Sequence, residues 1–312
     1  MPDSGAPNAE HRDPAPSAGM SLADAVHHVT TTNPLYALTT AEIRGQSYRV
    51  FANIPQTMRA LLQHGHGLQD DGRAEFLVFR NERMSYDEFC CDVSRMADVL
   101  LTRMQLSHGQ RIGVAMRNCP EMLVLMMAIT AAGGVVTFFN AWWTTEELDY
   151  AIGDSGVTTI FADGARVERI APLMDARGLT LIGVRDGEDL TVESYSTLKA
   201  SAVTEAWPNV PLDTDDDMAV MYSSGTTGHP KGVVLTHRGA VTSVYTWLMQ
   251  PEVAKLVTPP EPDAPAPLRP CCLIVTPLFH VTATHPMFLL GLAAGAKIVL
   301  MDKWDADLAV DL

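Results

Sequence analysis

Cysteine is scarce in this 312-residue chain, and the few that occur are not spaced as metal ligands. The five cysteines stand as Cys90-Cys91, Cys119 and Cys271-Cys272, and no C-x-x-C pair is present. Zinc sites and disulfide scaffolds both need recurring cysteine spacings, so this sequence fits neither class. We therefore expect reduced thiols in a cytoplasmic protein.

Basic residues are also few relative to acidic ones. The 22 Lys and Arg residues face 37 Asp and Glu residues, which gives a formal net charge of −15. This excess of negative charge repels polyanions at long range and argues against nucleic acid or an anionic membrane surface as a partner. Any anionic ligand must therefore be bound by locally placed donors.

Long apolar runs are nearly absent, with one exception between Met122 and Phe139. The run is long enough to be considered as a membrane span. However, Gly133-Gly134 interrupts it, Pro120 is typical of a first helical turn, and VVTFFN has the β-branched and aromatic content of a strand. We predict a buried helix followed by a buried strand, and no membrane span.

The N-terminus, MPDSGAPNAEHRDPAPSAGM, lacks the apolar core of a secretory signal. Its richness in Pro, Ala, Gly and Ser is typical of a disordered tail.

Strand and helix patterns alternate through much of the chain. FLVFRNERMSY predicts a hairpin, and the strand patterns RIGVAM, TTIFAD and LTLIGV are separated by segments of helical length. This alternation predicts an α/β fold with parallel or mixed sheets sandwiched by helices. A second unit is expected to begin near Leu179.

The most informative segment is MAVMYSSGTTGHPKGVVLTHRG, from Met218 to Gly239. It predicts an apolar strand, a loop rich in glycine and hydroxyl groups that ends near Lys231, and a second strand. Glycines let backbone N–H groups approach a ligand closely, while the hydroxyls and the lysine add donors, so the loop suits a phosphate chain. A flexible hairpin connection would explain the glycines but not the hydroxyls beside a lysine.

The loop differs from the Walker pattern of nucleotide triphosphatases. That pattern places Gly before the Lys and Ser or Thr after it, at the start of a helix. Here Pro230 precedes Lys231, Gly232 follows it, and the next residues predict a strand. The sequence therefore argues against the P-loop class.

The segment YSSGTTGHPKGVVLTHRG resembles the phosphate-binding signature of the adenylate-forming superfamily, which includes acyl- and aryl-CoA synthetases, luciferases and peptide-synthetase adenylation domains. The resemblance runs from about Ile54 to the C-terminus and includes GQRIGVAMRNCPEMLVLMMAITAAGGVVTFFN and PLFHVTATHPMFLLGLAAGAKIVLMDKWD. Within the superfamily, Ser-Ser-Gly-Thr-Thr-Gly is more similar to the CoA synthetases than to peptide-synthetase domains.

The resemblance implies the large N-terminal domain of an adenylate-forming enzyme, incomplete at the C-terminus. We expect residues 1–50 to be a disordered or poorly packed lead-in and residues 51–312 to be a partial AMP-binding domain, without the small C-terminal domain and its catalytic lysine. The implied partners beyond small molecules are a complementary C-terminal half or a second copy of the chain.

The implied activity is that of an AMP-forming acid–CoA ligase, using ATP, Mg²⁺ and coenzyme A on a fatty or aromatic acid. The alternative is a non-catalytic fragment that retains only nucleotide or partner binding.

The resemblance also implies a set of binding residues. Those assigned to the nucleotide phosphates, with Mg²⁺ bridging the phosphates, are Ser223, Ser224, Gly225, Thr226, Thr227, Gly228 and Lys231. His280 is expected between the phosphates and the acyl pocket, and Thr282 is expected to line that pocket, although a lone histidine after a strand is often structural. No catalytic residue or metal ligand is assigned.

Two positions depart from the common pattern, where Ala283 replaces a frequent glycine and His229 replaces a frequent leucine. A Ser–His hydrolase built from Ser223 or Ser224 with His280 would lack the usual G-x-S-x-G elbow.

Overall fold

The computed structural model describes residues 19–69, 72–223, 228–261 and 268–311. Strands in these ranges form three sheets of two, seven and four strands. The strands are β1 Leu38–Ile43, β2 Gln46–Phe51, β3 Glu75–Phe79, β4 Glu82–Ser85, β5 Arg111–Ala115, β6 Val135–Phe138, β7 Thr159–Ala162, β8 Thr180–Gly183, β9 Glu193–Ser194, β10 Asp217–Ser223, β11 Lys231–Thr236, β12 Cys271–Ile274 and β13 Lys297–Leu300.

Helices connect and cover these strands. They are α1 Leu22–Thr32, α2 Met58–Gly67, α3 Tyr86–Thr102, α4 Pro120–Ala131, α5 Thr145–Ser155, α6 Gly164–Ile170, α7 Met174–Arg177, α8 Tyr195–Ala200, α9 His237–Val257, α10 Val281–Ala283, α11 Leu290–Ala293 and α12 Ala306–Asp311. A π-helical stretch, Thr284–Leu289, joins α10 to α11.

The seven-stranded sheet has the order β11-β10-β6-β5-β7-β8-β9. All its neighbouring strands pair in parallel except the edge pair β10 and β11. Because β8 pairs with β7, with Ile160 opposite Leu181, the expected second unit near Leu179 is wrong. The strand at this position extends the existing βαβ pattern, and the connection before it does not mark a boundary.

The four-stranded sheet has the order β12-β13-β3-β4, and only β4 is antiparallel. The predicted hairpin is present as β3 and β4, with Arg80 at positive φ in its turn. Helices α3 and α4 pack against each other. All residues of α4 except Glu121 are buried.

The long apolar run is divided as predicted into a helix and a strand. Gly133 has a φ of 85°, a backbone conformation that side chains with a Cβ adopt rarely, and it ends α4 just before β6. Within the described ranges, no helix is both long and apolar enough to cross a membrane.

The lead-in up to residue 50, expected to be disordered or poorly packed, contains one packed helix in the part that the structure describes; residues 1–18 lie outside that part. Ala25 and Val29 of α1 are buried, and α1 packs against α9. The Met20 N–H donates to the Leu256 carbonyl at 2.8 Å. Two apolar positions four residues apart are enough to bury one face of α1, a spacing that average composition does not reveal.

Candidate functional site

The phosphate-type loop joins two antiparallel strands, as the sequence predicts. Ser223 at the end of β10 lies opposite Lys231 at the start of β11, and Ser223 Oγ donates to the Lys231 carbonyl at 3.5 Å. Gly228 has a φ of 98°, which favours glycine. The strand after the loop separates it from the Walker class. Ser224, Gly225, Thr226 and Thr227 lie outside the described residues.

The loop leaves the sheet at the carboxyl ends of parallel strands. Strand β10 runs parallel to β6, with Met221 opposite Phe138, so the segments that follow both strands emerge at the same edge. In open α/β sheets, ligands bind at this edge, outside the carboxyl ends of the strands. The described residues on either side of the loop, Ser223 and Gly228, therefore lie near the edge at which ligands bind in this class of fold.

A cavity of about 300 Å³ opens beside the loop. It brings together three of the predicted residues, Ser223, His280 and Thr282, while Lys231 is the strand partner of Ser223. The full lining is Met221, Tyr222, Ser223, Val233, Leu235, Phe279, His280, Val281 and Thr282. A larger cavity of about 650 Å³ lies along α1 and α9, and none of the predicted residues lines it.

Aromatic side chains form part of the surroundings of this cavity. The Trp142 ring meets the Phe279 ring edge-to-face at 5.3 Å, and the Phe279 ring lies 4.6 Å from the His280 ring. Sequence reasoning missed Phe279 and Tyr222 as lining residues and Trp142 as the ring that packs against Phe279. A signal was present, because Trp142 follows the carboxyl end of a buried strand and Phe279 precedes the candidate histidine.

His280 is exposed, and its imidazole has no hydrogen-bond partner among the residues that the structure describes. Neighbouring side chains remove part of the water around the ring, and this desolvation lowers the pKa of His280 and favours the neutral ring at pH 7. A neutral ring can donate one hydrogen bond and accept another, so His280 is available to contact a ligand in the cavity.

Lys231 also carries an unpaired donor. Its ammonium group is exposed and makes no ion pair within the described part of the chain. An unpaired cation at the end of a glycine-rich loop can bind an anion without first breaking an internal pair.

Tyr222 anchors the strand that leads into the loop. Its hydroxyl donates to Asp154 Oδ2 at 2.8 Å and lies 3.1 Å from the Ala151 carbonyl, both on α5. Burial raises the pKa of Tyr222, and the hydrogen bond to Asp154 raises it further, so the hydroxyl stays protonated. Tyr222 is therefore a fixed donor and not a proton acceptor at neutral pH.

The departure at Ala283 does not alter the cavity wall directly. Ala283 is completely buried and is not a lining residue. No group of three or more His, Cys, Asp or Glu side chains is arranged to hold a metal ion in the described ranges.

A family model described as AMP-binding enzyme matches residues 66–312. The chain belongs to the AMP-binding enzyme family. It is 33% identical over 219 residues to 4-coumarate–CoA ligase 3 of Oryza sativa subsp. japonica, a match that covers 70% of this chain and 37% of that protein. The chain thus spans less than half the length of the curated relatives it matches.

Solved structures agree with the fold. ATP-bound MatB from Rhodopseudomonas palustris matches with a TM-score of 0.65 and 26% identity, over 82% of this chain and 47% of that one. The inhibitor-bound N-terminal domain of FACL13 from Mycobacterium tuberculosis matches with a TM-score of 0.64 and 24% identity, over 82% and 59%. The predicted fold class, the N-terminal domain of an adenylate-forming enzyme, is confirmed.

Proposed function

We propose that this AMP-binding chain carries the acid-activating site of an AMP-forming acid–CoA ligase. A carboxylate oxygen attacks the α-phosphorus of ATP, the bond to the β-phosphate oxygen breaks, and pyrophosphate leaves. The CoA sulfur then attacks the acyl carbon and AMP leaves. The supporting observation is the single cavity of about 300 Å³ that Ser223, His280 and Thr282 share.

In this proposal the loop binds the phosphates. Hydroxyl and backbone donors, together with Lys231, stabilise the charge that develops on the leaving pyrophosphate. The residues given this role are Ser223, Ser224, Gly225, Thr226, Thr227, Gly228 and Lys231. The ammonium group of Lys231 is exposed and has no ion-pair partner among the described residues, which supports the assignment.

His280 is proposed to lie between the phosphates and the acid, and Thr282 is proposed to line the acyl pocket. A neutral imidazole can donate a hydrogen bond to an oxygen of the acid or of the α-phosphate without adding a full charge. The absence of a hydrogen-bond partner for this ring in the described ranges supports the assignment.

The substrate class is proposed from the lining of the cavity. Most lining side chains are apolar, and one of them, the Phe279 ring, packs edge-to-face against Trp142 behind it. Such a wall suits an acid with an apolar body, fatty or aromatic, and edge-to-face aromatic packing favours a flat ring. Similarity to 4-coumarate–CoA ligases supports the aromatic choice.

Magnesium is proposed as an ion that would enter with ATP, held by phosphate oxygens, the hard oxygen ligands that this ion prefers. No step is assigned to the ion. Coenzyme A is proposed as the thiol acceptor from the similarity to CoA ligases. The cytoplasmic location inferred from cysteine spacing stays a prediction, which cell fractionation would test.

The test combines binding and turnover on the 312-residue chain. MgATP binding is measured by calorimetry, and AMP, pyrophosphate and acyl-CoA are measured with a panel of fatty and aromatic acids. The control is the double variant S223A/K231A. Acid-dependent pyrophosphate or thioester supports the ligase proposal. MgATP binding without product supports a non-catalytic fragment that retains nucleotide binding. A chain that does not bind MgATP overturns the ligase proposal and leaves partner binding as the remaining form of the alternative.

A further inference from the structure

Helix α5 presents two polar side chains toward the flanks of the phosphate-type loop. Tyr150 and Asp154 are four residues apart, so they share one face of the helix. The helix is held at its start by a capping box in which Thr144 Oγ1 accepts from the Glu147 N–H and the Glu147 carboxylate accepts from the Thr144 N–H. Its buried residues, which include Leu148, Ala151 and Ile152, fix the helix against the core.

Asp154 holds the flank that precedes the loop. The buried Tyr222 is directly before Ser223, and its hydroxyl donates to Asp154 Oδ2 at 2.8 Å. The Tyr222 ring is further packed edge-to-face against Trp143 at 5.4 Å. This flank therefore has little freedom to move relative to α5.

Tyr150 contacts the flank that follows the loop. The His229 imidazole lies over the Tyr150 ring with 4.5 Å between ring centroids and 21° between ring planes. His229 is the residue after Gly228, whose positive φ turns the backbone at this point. The two rings form a stacked contact, which is a preferred aromatic geometry when the rings are offset.

We infer that α5 fixes both flanks of the loop and that Tyr150 is a positioning residue for nucleotide binding, acting through His229. This inference rests on the proposed function, because it takes the loop as the phosphate-binding segment. Binding groups that the protein already holds in position lose less conformational freedom when a ligand binds, so contacts that hold the described flanks at Tyr222 and His229 raise the affinity. The superfamily signature often has leucine at position 229, whereas this chain has His229, whose aromatic ring can stack.

The test measures MgATP affinity of the 312-residue chain by calorimetry for the wild type, Tyr150→Ala, Tyr150→Phe and His229→Ala. We expect the Kd of Tyr150→Ala to rise by about threefold to tenfold, the range that one aromatic contact supports. Tyr150→Phe keeps the ring and is expected to stay within about twofold. The matched control is Tyr48→Ala, which removes an exposed tyrosine on the separate β1–β2 sheet.

Two further readouts distinguish positioning from a general loss of structure. Adding Tyr150→Ala to His229→Ala should change the Kd little, because either substitution removes the same contact. The proton signals of the His229 ring should show a ring-current shift in the wild type that disappears in Tyr150→Ala. This shift is measured without nucleotide, so it reports on the stack independently of the proposed function.

Three outcomes overturn the inference. The first is an unchanged Kd in Tyr150→Ala while the wild type binds MgATP, which leaves the proposed function standing. The second is a His229 signal that Tyr150→Ala does not move, and the third is additive losses in the double variant. A wild type that does not bind MgATP overturns the proposed function and this inference together.

Discussion

Lys231 and His280 keep their side-chain donors free of protein partners in the described ranges, whereas many other cations are paired. Arg238 forks onto Asp215, Lys199 contacts Asp92 at 2.6 Å, and Arg166 pairs with Asp163. A paired cation must lose its partner before it can bind a ligand, which costs part of the gain. At the residue scale, the two unpaired groups are therefore the most direct targets for substitution.

Lys231→Ala is expected to weaken MgATP binding by about 1.5–3 kcal/mol, the scale of a hydrogen bond to a charged group, or roughly tenfold to a hundredfold. Calorimetric titration checks this, with Lys255→Ala on α9 as the control. Unchanged affinity in Lys231→Ala would remove this residue from the proposed site.

His280→Ala is expected to lower kcat/KM for the acid while leaving the melting temperature nearly unchanged, because the ring is exposed and has no hydrogen-bond partner in the described ranges. Activity and thermal unfolding are measured on the same samples, with exposed His27→Ala as the control. A loss of activity that only follows a loss of stability would make His280 a structural residue.

Helix α5 illustrates how one element can organise a site from outside it. Its capping box is formed by residues three apart, Thr144 and Glu147, a pattern readable from the sequence. Its contacts with the loop flanks, through Asp154 and Tyr150, depend on where β10 lies in the sheet. A change that destabilises α5 is therefore expected to alter the positions of the loop flanks as well.

Thr144→Ala should destabilise the chain by about 1 kcal/mol, because the Glu147 N–H loses its capping acceptor. Urea unfolding measures the change, and Thr144→Ser should restore most of it because Ser also caps. The matched control is Thr158→Ala at an exposed position outside the helix. Equal stability of Thr144→Ala and the wild type would mean that the cap contributes nothing.

The free energy of unfolding is expected to depend on pH through two histidines that are buried in the described ranges. His237 Nδ1 accepts from the Met58 N–H at 3.1 Å, and His285 contacts the Thr284 hydroxyl at 2.9 Å. Burial lowers the pKa of each ring to about 4. Both rings are neutral in the folded chain at pH 7, and their protonation favours the unfolded state.

We expect the free energy of unfolding to fall as the pH drops from about 6.5 to about 4, because the unfolded chain binds more protons in this window. The loss is on the order of 3 kcal/mol per histidine at the lower end. Urea unfolding curves recorded between pH 7.5 and pH 4, at intervals of about one pH unit, measure this loss of unfolding free energy. His285→Gln should flatten the slope, and an unchanged slope would contradict the assignment.

Strand β11 forms one edge of the seven-stranded sheet and exposes apolar side chains. Val233 and Val234 are 47% and 44% exposed. An edge strand offers unpaired backbone groups to another strand, so we expect concentration-dependent self-association. Light scattering at two protein concentrations measures this self-association. The Val234→Lys variant should associate less than the wild type. The control is Val203→Lys, a substitution of an exposed valine on a loop. A monomer at both concentrations would contradict this prediction.

The sequence alone was sufficient for features that depend on near neighbours. The two strands that flank the glycine-rich loop and the division of an apolar run at Gly133 both follow from local backbone preferences and side-chain periodicity. The residues of the loop and of the His280 motif also carried the family resemblance, because they are contiguous in the chain.

Only the tertiary structure decided which distant segments meet. Trp142 and Phe279 touch across two sheets, α1 packs on α9, and β8 joins the sheet that was expected to end before it. These contacts depend on strand order and on which connections emerge at the same edge, and composition and periodicity carry no information about either. The shape of the cavity and the support of the loop by α5 are therefore properties of the folded chain, since they join residues that are far apart in sequence.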